Sequence, residues 1–90
     1  VPYIPNERRV QLSEPIRKLE QALCKKGEYN YAITKLFIGY IKKMGISYDH
    51  LSDVSGILDD IKYEFKRQVT DPYENAKAKE NGDLDWPHKE

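Results

Sequence analysis

The chain has one cysteine, Cys24, so no internal disulfide can hold it together. Its two histidines, His50 and His88, lie far apart, and no Cys/His cluster has metal-ligand spacing. The five glycines are scattered, and none belongs to a phosphate-cradling loop. No apolar run approaches the ~18 residues that span a bilayer, and no basic-plus-apolar leader opens the chain. Charge of one sign is missing as well. Fifteen Lys and Arg balance fifteen Asp and Glu. Without a basic excess, general nucleic-acid binding is not expected, although a small local anion site is compatible with neutrality. The expectation is a soluble, cytoplasmic protein, and a lone cysteine fits a reducing compartment. Val1 fits an initiation codon read as valine, and equally a processed or tagged chain.

Ninety residues make one domain with a marginal core. With no disulfide or metal to help, the missing stability must come from helix packing or from further copies of the chain. The pattern is helical throughout, with no strand alternation and no repeat. After an extended Val1-Pro2-Tyr3-Ile4-Pro5, Asn6 suits the cap of a short turn through Val10. Ser13-Glu14-Pro15 starts a better helix. Ile16, Leu19, Ala22 and Leu23 give it one narrow apolar face, and Gly27 is expected to end it.

A second helix is expected from about Asn30 to Met44. Ile33, Leu36, Phe37, Tyr40, Ile41 and Met44 share one broad face, and Gly45 suits the C-terminal cap. A third helix starts near Ser47 and reaches about Val69. Leu51, Val54, Leu58, Ile61 and Phe65 follow alternating steps of three and four. That is a packing seam with coiled-coil spacing, short for a true coiled coil. Asp71-Pro72-Tyr73-Glu74 reads as a fresh helix start, with a kink in one continuous helix as the rival reading. Asn81-Gly82 is the stop. The fold class is all-α: a small hairpin or bundle of three main helices plus a short C-terminal helix. Residues 1–83 form the domain, and 84–90 a flexible tail. The broad apolar faces favour a homo-oligomer, a dimer or higher.

Catalysis has little to stand on. Lys25 and Lys26 follow Cys24, but no base accompanies it, and a place near the core suits it better. Asp59 and Asp60 point about 100° apart on a helix and form no acid dyad. Asp49, His50 and Asp53 suit a capped helix start rather than a metal site. No enzyme activity, cofactor or metal is expected.

Two tyrosine–cation pairs carry the functional expectation. Tyr31 precedes Lys35 by four residues, and Tyr63 precedes Arg67 by four, both off the apolar stripes. Such pairs are either ordinary surface contacts or a ligand site. In the second case the rings stack a base while Lys35, Lys42 or Arg67 holds phosphate. Ile38 lies amid the polar side with Tyr31, Lys35 and Lys42, which suggests a contact surface. Trp86 in the tail is a second candidate for partner binding.

The blocks Pro2-Tyr3-Ile4, Asn30-Tyr31-Ala32-Ile33-Thr34-Lys35-Leu36, Glu64-Phe65-Lys66-Arg67, Pro72-Tyr73-Glu74 and Asn81-Gly82-Asp83 together resemble a family of short, uncharacterised proteins. Its members come from bacteria, phages and phage-rich metagenomes. The likeness spans about residues 2 to 83. The family has a second aromatic where this chain has Lys66. The resemblance implies a prokaryotic or viral origin and no activity. By analogy with small phage proteins that bind and block, it shifts the expectation toward sequestration of a nucleotide-type immune signal. The alternative is an interaction module for a host or phage protein.

Overall fold

The computed structural model describes residues 2–87. The expectations for Val1, His88 and the end of the tail fall outside them. Helix α1 (Asn6–Ala22) is continuous, with Pro15 inside it. Pro5, rather than Asn6, takes the cap position, and the expected break before Ser13 is absent. Side chains one turn apart support the helix before Pro15 and across it. Arg8 Nη1 donates to Gln11 Oε1 at 2.5 Å, and Arg17 Nε to Glu14 Oε2 at 3.0 Å.

The turn after α1 corrects two expectations. Leu23 is extended and ends the helix, four residues before Gly27. Gly27 instead lies in the first turn of α2 (Lys26–Met44). Glu28 makes this early start possible. Its Oε1 reaches back to accept from the Cys24 N–H at 2.7 Å and the Lys25 N–H at 3.1 Å. Two amides that the helix cannot satisfy are thereby paired. Cys24 is exposed in this turn rather than near a core.

The bonds from Cys24, and then Lys25, hold the Glu28 carboxyl below its ordinary value of 4.5. A depressed carboxyl stabilises the fold above its unfolded pKa, and that stabilisation is lost as pH falls through the folded value. Glu28→Ala is therefore expected to reduce helicity at pH 7. It should also flatten the helicity loss expected of the parent below about pH 4.5. Far-UV circular dichroism from about pH 2 to about pH 7, which spans the carboxylate titration range, checks this. Superimposable acid profiles would show that Glu28 holds nothing.

Gly45 ends α2 at φ +91, a conformation that favours glycine. The next helix, α3 (Tyr48–Phe65), is capped by Ser47, whose Oγ accepts from the His50 N–H at 3.1 Å. His50 Nδ1 lies 2.8 Å from the Gly45 carbonyl oxygen, to which the Nδ1–H tautomer donates. Tyr40 donates its hydroxyl to Asp53 Oδ2 at 3.0 Å, tying α2 to α3. His50 and Asp53 thus serve the hairpin. Among the described residues no group of three His, Cys, Asp or Glu side chains is placed to hold a metal ion.

Beyond Phe65 the chain does not stop. Residues Lys66–Thr70 form one π-helical turn, and α4 (Asp71–Asn81) follows without leaving helical dihedrals. Pro72 explains the turn. It has no N–H to donate, and its ring crowds the carbonyl one turn back. The π turn shifts the ladder, so the Asp71 N–H bonds the Lys66 carbonyl five residues earlier. Asp71 is thus an interior residue, not a cap, and its carboxylate accepts from Lys66 Nζ at 2.9 Å. The rival reading of one continuous helix is the observed one. Gly82 stops it, also at φ +91.

Residues 48–81 therefore make one rod of about 51 Å at 1.5 Å per residue. That equals the longest dimension of the molecule, 51 Å. The α2 helix approaches α3 closely over a short stretch only, and no Cα of α1 comes within 8 Å of another helix. Tyr3 nevertheless reaches Glu64 near the end of α3, donating its hydroxyl at 3.3 Å. The α1 helix thus bridges from the start of α2 to the far end of α3.

No described residue is buried. Leu12, Leu23, Phe37, Tyr40, Ile41 and Val54 are half-buried at best. A compact chain of this length has a radius of gyration of about 12 Å; this one has 17.8 Å. The fold is all-α, but its apolar faces stay open. Among the described residues no helix is long and apolar enough to cross a membrane.

Candidate functional site

The α2–α3 hairpin carries an open apolar groove of about 650 Å³. Phe37, Ile38 and Ile41 form one wall, and Leu51, Val54 and Leu58 the other. Thr34, Lys42, Ile46 and Ser55 complete the lining. Thr34, Ile38 and Lys42 are four residues apart and present one edge of α2. This corrects the placement of Ile38 and Lys42 opposite the apolar stripe, because they line the same groove as Phe37 and Ile41. The α3 helix meets the Phe37/Ile41 side of α2's broad face. Ile33, Leu36 and Met44, expected in the core, are consequently exposed, Leu36 by 64%.

The two tyrosine–cation pairs differ in state. Tyr31 is 67% exposed, and neither it nor Lys35 has a polar or ring partner among the described residues. Lys42 likewise makes no ion pair there. Arg67 is engaged: Nη2 donates to Glu64 Oε1 at 2.6 Å. The same oxygen accepts from Gln68 Nε2 at 3.0 Å and from the Tyr3 hydroxyl. Gln68, and then Arg67, hold the Glu64 carboxyl below its usual range, and Glu64 raises the Arg67 guanidinium in turn. Neither expected pair is a cation–π contact; Lys77 over the Tyr73 ring, at 5.8 Å, is one. No hydrogen bond, ion pair or cation–π contact joins the Tyr31 pair to the Tyr63 pair among the described residues.

Sequence reasoning missed the role of Glu64. Its position three residues before Arg67 was a visible signal. That Tyr3 joins them, sixty-one residues away, was not. Trp86, assigned to a free tail, shares a shallow groove with Glu74, Asn75, Lys77 and Ala78 of α4. Its indole N–H donates to Asp83 Oδ1 at 3.1 Å.

Neither curated proteins nor solved structures show a match to this chain. Residues 1–84 match a family described as a domain of unknown function (DUF6899), and with nearly the whole chain covered, it belongs to that family.

Proposed function

We propose that the chain is a non-enzymatic subunit of a homo-oligomer that sequesters a small anionic ligand of nucleotide type. The observation that carries this reading is the Tyr31, Lys35 and Lys42 edge of α2. It pairs an exposed ring with two lysines that no carboxylate among the described residues neutralises. A flat aromatic face stacks a base, and an unpaired ammonium one turn away attracts phosphate. Arg67 beside Tyr63 is the secondary contact. Glu64 engages one of its amines, and a guanidinium has further donors for an anion.

The openness of the subunit supports assembly, which would bring several such edges together. The resemblance to short bacterial and phage proteins makes a host immune signal the natural nucleotide, met in the cytoplasm. The competing reading is a module that grips another protein through Ile38 and Trp86. It is favoured by the place of Ile38 in an open apolar groove.

Native mass spectrometry of protein purified from its own cells tests both. A nucleotide-sized mass retained on an oligomer is expected. Calorimetric titration with mono-, di- and cyclic nucleotides should then show binding that falls at least tenfold in Tyr31→Ala and in Lys35→Glu, about 1.4 kcal/mol or more. Unchanged affinity in folded variants would overturn the site. A stoichiometric protein partner without a small molecule would favour the module.

A further inference from the structure

The α3 seam divides into two unlike halves. Leu51, Val54 and Leu58 line the groove shared with α2. One turn further on, Ile61 and Phe65 stand out on the rod beside Lys62, Lys66 and Thr70, at 50% and 61% exposure. One half is a hole and the other a pair of knobs, and the knobs continue the same alternating three-and-four spacing. Two such helices laid antiparallel about a two-fold axis place each copy's knobs in the other's groove. A parallel pair would set knobs against knobs and leave both grooves empty.

We propose that the occupant of the groove is the α3 helix of a second copy, antiparallel. Leu58 then faces Ile61 of the partner subunit, and Val54 faces Phe65 of the partner subunit. The exposed area suits this. The subunit exposes 8343 Å², against about 5,500 Å² for a compact monomer of this mass. The excess of roughly 2,900 Å² exceeds the ~800 Å² per partner of a standard interface and falls in the obligate class. The proposal deepens the assembly part of the reading above and does not depend on any ligand.

Ser55 and Lys62 lie on the same flank of the seam, seven residues apart. They are about 10.5 Å apart along one helix, beyond the ~7 Å Cα limit for a disulfide, so no bridge forms within a chain. In the antiparallel pair they come within two residues, about 3 Å, of the same level on facing helices. Ser55→Cys with Lys62→Cys, in a Cys24→Ser background, is therefore expected to oxidise to a covalent dimer. Peptide mapping should join position 55 to position 62. Bridges of 55 to 55 or 62 to 62 would overturn the antiparallel register while leaving an oligomer. A monomer by sedimentation velocity, without bridges, would overturn the register and the assembly together. A small molecule or a different protein found in the groove would overturn the occupant. Bridges that form in protein with no nucleotide affinity would sink the sequestration reading alone.

Discussion

The thermal midpoint of this protein will rise with its concentration. A monomer that folds alone has a midpoint independent of concentration. A subunit whose fold is completed by a second copy has one linked to it by mass action. Here no described residue is buried, and apolar side chains such as Leu36 and Phe65 are more exposed than covered. A domain of this size has little stability to spare even with a closed core. Each tenfold increase in concentration adds about 1.4 kcal/mol to a dimer. For a dimer's combined length this moves the midpoint by roughly 3–5 °C per decade. Calorimetry or circular dichroism over two decades of concentration measures it. Phe65→Ser, which removes the larger knob, should lower the midpoint at every concentration. A flat midpoint would mean that the open hairpin is stable alone. The apolar groove would then need a different explanation.

The helices were legible in the sequence because each apolar stripe repeats at helical period, and because Gly45, Ser47 and Gly82 mark ends. The errors share one cause. Asn6, Gly27 and Asp71 are residues with good local reasons to start or stop a helix. In each case a neighbour outweighed them: Pro5 took the cap, Glu28 satisfied the amides before Gly27, and a π turn absorbed Pro72. Local propensity is a weak prior, and one side-chain bond or a shift in the ladder overrides it. The core was misread for a different reason. Periodicity tells which residues share a face, not whether the same chain covers that face. The Ile33, Leu36 and Met44 side is apolar and open. The candidate ligand edge was legible as spacing in Tyr31, Lys35 and Lys42. The groove was not, since it depends on the angle at which α3 meets α2.

Pro15→Ala will stabilise α1 by about 2–3 kcal/mol, the largest gain expected from one substitution. Pro15 stands at the tenth of seventeen helical residues, too late to count as a first-turn proline. There it removes the bond to the Gln11 carbonyl and crowds that group. No π turn relieves it, because α1 is α-helical throughout. Pro72 is the internal control. It sits in the first turn of α4, directly after a π turn that has already moved the ladder. Pro72→Ala should therefore change stability by less, by about 1 kcal/mol or under. It should also let the rod revert to an unbroken α-helix, turning α4 relative to α3. Denaturant titration of both variants ranks them. Equal effects would mean that Pro15 is needed where it stands. The cause to examine would then be the path of α1 between α2 and Glu64, because a shift of the helix would pull the Tyr3 hydroxyl from its carboxylate. Adding Tyr3→Phe to Pro15→Ala separates the cases. A lost tether makes the second change silent, and a retained one leaves its cost unchanged.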